Sequence, residues 1–236
     1  MLWTETTKSF LRFVADGALD ILFPRTCLGC GLQPAPGAPV CDRCLTSIEP
    51  VDAFDLEEFF RSDERIPELF DAASILWRYR KSGLASSIHT RFKYENRPRY
   101  GDWIGGLMSL RAIREFASPD MVVPIPLHRT RRRERGYNQA LELARPLSRS
   151  FDCTLAAEVL IRVRPTKRQT GLDRTERSLN LESAFRVTDP LAIRGRRVLL
   201  VDDVVTTGAT TLSAASELKR CEPSWIGLAA MAVAGR

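Results

Sequence analysis

Nowhere does this sequence of 236 residues hold an apolar run of about 18, the length a membrane-crossing helix needs. A helical membrane span is therefore not expected. The amino terminus lacks a basic stretch followed by an unbroken apolar one, because Glu5, Asp16 and Asp20 interrupt it. A secretory signal is not expected either, and the anticipated location is the cytoplasm, where thiols stay reduced. Histidine is scarce, with two in all. A lone histidine is usually structural or at the surface, so His128 is given no catalytic role. Aromatic residues make up 8%. Near the basic segments only Tyr94 and Tyr137 offer a stacking surface, fewer than single-strand nucleic-acid binders usually show. Internal repeats and low-complexity tracts are also missing.

What remains is ordinary globular material. Apolar residues make up 44% and charged residues 27%, enough for a proper core. The length suits one α/β domain with a small appendage, or two modest domains. The net charge of +6 is unevenly spread. Residues 1–71 hold six Lys/Arg against thirteen Asp/Glu, whereas residues 125–180 hold thirteen against six. A basic middle suits anionic ligands such as phosphates or nucleic acid, or it is a solvated surface.

Along the chain, residues 1–24 read as a helix closed by Pro24, residues 25–48 as a cysteine module, and residues 49–71 as an acidic linker with a short helix near Leu56–Phe60. Residues 72–236 read as the main domain. Its expected strands are Ala73–Tyr79, Met121–Ile125, Val159–Val163, Arg197–Val201 and Ile226–Val233. Helices are expected over Leu84–Tyr94, Trp103–Phe116, Asn138–Ser150 and Thr210–Arg220. The alternation implies an α/β fold with a doubly wound parallel sheet.

The densest chemistry lies in Val198–Thr210, V-L-L-V-D-D-V-V-T-T-G-A-T. Four apolar residues make a strand buried on both faces. Asp202 and Asp203 sit toward its carboxyl end, where open α/β sheets bind ligands. A Thr/Gly-rich turn then enters a helix. The N–H groups there, with the hydroxyls of Thr206, Thr207 and Thr210, can cradle a phosphate. Gly208 permits close backbone approach, and Ala209 completes the turn. Two carboxylates beside a phosphate make sense if they accept sugar hydroxyls or face Mg²⁺.

A second segment, His128 to Gln139, holds five arginines within seven residues. Arginine forks match phosphate oxygens bidentately. Arg129, Arg133 and Arg135 are candidates for a pyrophosphate group on the same sheet edge. A nucleic-acid backbone patch and a solvated basic helix start stay open. The long polar stretch 164–182 between strands reads either as a functional lid or as a surface hairpin. As a lid it would bring Lys167, Arg168, Gln169, Arg177 and Asn180 to the ligand.

Cys27, Cys30, Cys41 and Cys44 form C-x₂-C, ten intervening residues, then C-x₂-C. Four thiolates at this spacing can close a tetrahedron on Zn²⁺, with no open coordination position and hence a structural role. Disulfides are the alternative. Cys153 and Cys221 stand apart and read as packing residues.

The turn Val198–Thr210 resembles the 5-phosphoribosyl-1-diphosphate (PRPP) motif of type I phosphoribosyltransferases. That resemblance implies ribose contacts from Asp202 and Asp203, directly or through a Mg²⁺ shell, and a 5-phosphate site at Thr206, Thr207, Gly208, Ala209 and Thr210. Together with the Cys₄ module, P-I-P-L-H with R-E-R-G-Y-N-Q, and K-R-Q-T-G-L with E-R-S-L-N, it resembles the ComF family of competence-related proteins. The resemblance spans nearly the whole chain. It implies a double-zinc-ribbon-type module joined to a phosphoribosyltransferase-type domain, with structural Zn²⁺, Mg²⁺ accompanying PRPP, and in some members a helicase-like partner in DNA uptake. Two functions are expected. One is transfer of phosphoribosyl to a nitrogenous base with release of pyrophosphate. The other is a non-catalytic PRPP or nucleotide sensor, or a single-stranded DNA binder, that docks a protein partner through its zinc ribbon.

Overall fold

The computed structural model describes residues 26–35, 37–95, 98–163 and 184–234, apart from the Arg129 side chain. The expected helix over residues 1–24 lies outside them. So do the lid candidates Lys167, Arg168, Gln169, Arg177 and Asn180. The chain divides into two units, Met1–Ser47 and Ile48–Arg236.

In the first unit, the amides of Cys27 and Leu28 donate to the carbonyls of Leu32 and Pro39, at 2.7 and 3.0 Å. These bonds fold the first Cys pair back beneath the second. In the second pair, Cys41 caps a one-turn helix, α1 (Asp42–Leu45), and Cys44 lies within it. Few apolar side chains are buried among the described residues here, chiefly Ala38 and Val40 beside Cys27.

In the second unit, residues 49–71, expected to be a linker or a short helix near Leu56–Phe60, fold as α2 (Ala53–Arg61), which contains that short helix, and α3 (Ile66–Leu69). Asp52 and Asp55 form a capping box, each carboxylate accepting from the other's amide at 2.9 Å. Val51, Phe59, Ile66 and Phe70 enter the core of the unit. The acids on the outer surface hide this apolar set from a composition reading.

Then follow β1 (Ala72–Tyr79), α4 (Leu84–Tyr94), α5 (Arg99–Glu115), β2 (Met121–Pro124), α6 (Arg129–Arg135), α7 (Gln139–Phe151), β3 (Thr154–Leu155), β4 (Leu160–Arg162), β5 (Phe185–Val187), α8 (Pro190–Ile193), β6 (Arg197–Val205), α9 (Ala209–Lys219) and β7 (Trp225–Ala234). The main sheet has the order β1-β7-β6-β2-β3, and every pairing is parallel. The expected strand at 159–163 does not join it. That strand is β4, which pairs antiparallel with β5, Leu160 opposite Val187. The two-residue β3 takes the sheet edge instead.

Alternate residues of the strands face opposite layers. Ile75, Val123, Val198, Leu200, Leu228 and Ala230 cluster with Leu212, Ala215 and Leu218 of α9. Helices α5 and α7 pack against each other, α5 also against β1 and β7 and α7 against β2 and β6. Gly101 and Gly105 of α5 make that contact possible. A methyl group at Gly105 would stand 2.7 Å from the Leu143 carbonyl, and one at Gly101 2.5 Å from the Glu142 Cβ. Each fully buried Leu or Ile in these layers contributes about 1.5–3 kcal/mol.

From β6 the chain moves through α9 to β7, and from β2 through α7 to β3, in the opposite direction across the sheet. With right-handed crossovers the two helices lie on opposite faces. The sheet is therefore doubly wound, and its direction switches between β6 and β2. A crevice opens at the carboxyl ends of such neighbouring strands.

Candidate functional site

A cavity of about 330 Å³ occupies that crevice. Asp202 and Asp203 stand on its wall near the end of β6, and the turn Thr206–Thr210 closes one side. Gly208 adopts φ +74°, a left-handed conformation that a side chain would strain, and it delivers the chain into α9. The first N–H groups of that 11-residue helix lack helical partners by construction and carry its positive end. The expected phosphate turn and acidic pair therefore share one cavity.

The two carboxylates differ in their surroundings. Asp202 is buried, its oxygens accepting from the Asp203 amide at 2.8 Å and the Thr211 hydroxyl at 3.2 Å. Burial and the neighbouring Asp203 charge push its pKa up to about 8. Asp203 accepts from the Val204 amide at 2.7 Å, and its other oxygen lies 3.1 Å from His89 Nε2 and 3.2 Å from Lys93 Nζ. Burial alone would raise its pKa, but the Lys93 ammonium and the His89 bond hold it well below the usual carboxylate range.

His89 and Lys93 are four residues apart on α4, so they share a helix face. Both line the cavity. The ring of Tyr79, at the end of β1, meets His89 edge-on at 5.5 Å. Neither His89 nor Lys93 was singled out from the sequence. Its only signal was the basic amphipathic stretch that became α4.

On the β2 side the arginine segment forms α6, and the His128 ring nitrogen accepts from the Thr130 amide at 3.3 Å to cap it. Of the expected pyrophosphate ligands, Arg135 lines the cavity. Arg133 is exposed and lies off the cavity wall, because about half a helical turn separates it from Arg131 and from Arg135. Arg131 takes the inner position instead. Arg129 begins the helix, and its side chain lies outside the described residues. Arg162 of β4, also unforeseen, lines the cavity with its guanidinium 5.2 Å over the Phe185 ring. Burial, and then the Arg131 charge, lower its pKa.

At the start of α7, Asn138 donates to the Ile125 carbonyl at 3.1 Å, and Gln139 accepts from Arg135 at 3.0 Å. Asn138 Oδ1 and Gln139 Nε2 are buried with no hydrogen-bond partner among the described residues, and both residues line the cavity. Buried polar atoms left so cost stability unless a ligand or water meets them. Tyr137 is not a stacking surface: its ring packs on Phe92 and its hydroxyl donates to the Phe92 carbonyl. Tyr94 is 71% exposed, with Arg135 5.8 Å from its ring centre.

In the first unit the four sulfurs of Cys27, Cys30, Cys41 and Cys44 lie within 4.8 Å of one another. Cys30 and Cys41 Sγ are 3.6 Å apart. That is far beyond a disulfide bond of about 2.05 Å. It suits the edge of a tetrahedron with metal–sulfur bonds of about 2.3 Å. The Cys27 sulfur also accepts the amides of Gly29 and Cys41, at 3.4 and 3.3 Å. The donor set fits Zn²⁺.

Comparison with known proteins agrees with this architecture. The family model described as "Phosphoribosyl transferase domain" matches residues 137–235. DNA utilization protein YhgH of Escherichia coli (strain K12) is 31% identical over 194 residues, 82% of this chain and 78% of that one. Competence protein F of Haemophilus influenzae is 36% identical over 141 residues, 57% of this chain and 61% of that one. The solved structure of an allosteric regulatory enzyme of purine biosynthesis overlaps 60% of this chain and 29% of its own, at 15% identity and a TM-score of 0.43. The matched domain carries β6, its acidic pair and the phosphate turn. The relatives extend the likeness over most of the chain, which belongs to the ComF family of phosphoribosyltransferase-fold proteins.

Proposed function

We propose that the cavity binds PRPP with Mg²⁺, and that the chain transfers its phosphoribosyl group to a nitrogenous base with release of pyrophosphate. One observation carries this reading. The acidic pair, the Thr206–Thr210 turn, Arg131 and Arg135 line the same 330 Å³ space at the switch of the sheet. In the reaction the bond from ribose C1 to the diphosphate oxygen breaks, a bond from C1 to nitrogen forms, and the nitrogen loses a proton.

The developing charge is oxocarbenium-like, so positioning and electrostatics do most of the work. Asp202 and Asp203 hold the ribose hydroxyls. The amides and hydroxyls of Thr206–Thr210 anchor the 5-phosphate. Arg131 and Arg135 face the departing diphosphate. Carboxylate oxygens suit Mg²⁺, which when bound neutralises diphosphate charge. The cytoplasm, where PRPP-dependent chemistry occurs, is the proposed location.

Calorimetric titration of the full chain with PRPP tests the reading, with and without Mg²⁺. Saturable binding that disappears in the double variant Asp202→Asn/Asp203→Asn is expected. No binding under any condition removes it.

A second reading draws on the relatives' names, which speak of DNA utilization and competence. Arg132, Arg133 and Tyr94 are exposed. They suit single-stranded DNA, with the cysteine module docking a helicase-like partner in DNA uptake. Binding through several arginines would then fall steeply with salt.

A further inference from the structure

Lys93 occupies an unusual position. Its ammonium lies 3.2 Å from Asp203, a residue for which the ribose is proposed to compete. The carboxylate does not depend on it alone. His89 stands 3.1 Å from the same oxygen, and the Val204 amide holds the other. Asp203 would therefore stay oriented if Lys93 left.

The two partners differ in freedom. His89 is 6% exposed and wedged by Tyr79, whereas Lys93 carries its charge on a flexible four-carbon stem. An ammonium has three protons, and among the described residues Asp203 is its one ion-pair partner. The cavity wall carries Lys93, Arg131, Arg135 and Arg162 against two carboxylates. Cations thus exceed acids before any metal arrives.

We propose that Lys93 is a resident cation of this cavity. It neutralises Asp203 in the free protein and moves to a diphosphate oxygen of the ligand when ribose hydroxyls engage Asp203. The chain then binds a diphosphorylated ribose with a reduced requirement for Mg²⁺. This rests on the reading of the cavity as a PRPP site.

The test compares wild type, Lys93→Met and Lys93→Arg by calorimetry with PRPP and with ribose 5-phosphate, each with and without Mg²⁺. Without Mg²⁺, Lys93→Met should bind PRPP about tenfold or more weakly, the scale of one charge-assisted hydrogen bond. Saturating Mg²⁺ should narrow the difference, and Lys93→Arg should recover most of it. Ribose 5-phosphate, which lacks the diphosphate, should bind all three nearly alike. Equal losses for PRPP and ribose 5-phosphate would mean that Lys93 only orients Asp203, and would overturn the inference. Lys93→Met binding PRPP as wild type does, with and without Mg²⁺, would overturn it too while leaving the PRPP reading standing. A wild-type chain that binds no PRPP overturns both. Thermal unfolding of each variant identifies any that fails to fold, and Lys93→Gln, which also removes the charge, then takes the place of Lys93→Met.

Discussion

His89 Nε2 lies 3.1 Å from the Asp203 carboxylate across 114 residues of sequence. The contact ties α4 to the end of the central strand. Removing the imidazole takes a donor from a carboxylate held in a buried position and leaves a void beside Tyr79. His89→Ala should lower stability by about 1–3 kcal/mol, the usual cost of depriving a buried acceptor. Urea denaturation measures it. A variant as stable as wild type would mean that Lys93 and the Val204 amide suffice for Asp203.

The acidic pair also sets a pH dependence. The pKa of Asp202 is raised from 3.8 to about 8 in the folded chain. From about pH 4 to about pH 8 the unfolded chain has lost this proton while the folded chain keeps it. Stability from this group is full below its unfolded pKa and is lost as pH rises through the folded value. Asp203 acts in the opposite sense, since its lowered pKa confines its loss of stability to acid pH, below 3.8. The two windows do not overlap. Asp202→Asn should therefore flatten the fall in stability between about pH 5 and pH 8, and should be more stable than wild type at the upper end. Parallel pH profiles for the two proteins would show that Asp202 does not hold the proton.

Close packing of α5 on α7 gives a third prediction. A Cβ at Gly105 meets the Leu143 carbonyl at 2.7 Å and Pro146 at 2.8 Å, neither of which can swing away. Gly105→Ala gains helix propensity but must separate the two helices. Overpacking of this kind costs about 1–3 kcal/mol. The urea midpoint should fall, while Gly106→Ala, with open space around it, should not show that loss.

What the sequence disclosed follows physical range. Val198–Val201 reads as a buried strand because its apolar run is continuous, and Asp202 and Asp203 follow directly. Lys93 and His89 were invisible because their role depends on α4 reaching a strand more than 100 residues away in sequence. Charge clustering carries no helical phase, so it could not separate Arg135, on the cavity wall, from Arg133, off it. Only the angle of α6 turns Arg131 and Arg135 inward and Arg133 out. Residues 49–71 looked like a linker because acids outnumber the few apolar residues that fold them onto the core. Arg162 could not be foreseen, because β4 left the parallel sheet to which alternation assigned it.

The cysteine module should depend on metal. Its described residues bury only a small apolar set, Cys27, Pro34, Ala38, Pro39 and Val40. Metal binding to four thiolates supplies folding free energy that such a core cannot. Purified protein should carry one zinc per chain by elemental analysis, and Cys41→Ser should carry much less. Chelation should expose residues 26–47 to rapid amide exchange. A zinc-free protein with unchanged protection there would mean that backbone contacts such as Leu28 to Pro39 hold the module unaided.

Arg131 and Arg133 are two residues apart on α6 yet face different surroundings, and this separates the two functional readings. Arg131 lines the cavity, and its charge reaches half-buried Arg162. Arg133 points outward. If the chain serves a diphosphorylated ribose, Arg131→Ala should weaken PRPP binding by about tenfold or more, as loss of a charged hydrogen bond does. Arg133→Ala should leave that affinity nearly unchanged. If the basic helix tracks a nucleic-acid backbone, Arg133→Ala should weaken binding to single-stranded DNA and reduce its salt dependence by about one phosphate contact. Both rankings can hold in one protein, because the two arginines occupy opposite sides of the same helix. Loss of PRPP affinity in Arg133→Ala but not in Arg131→Ala would contradict the orientation of α6 and return the pyrophosphate site to the residues that charge clustering alone suggested.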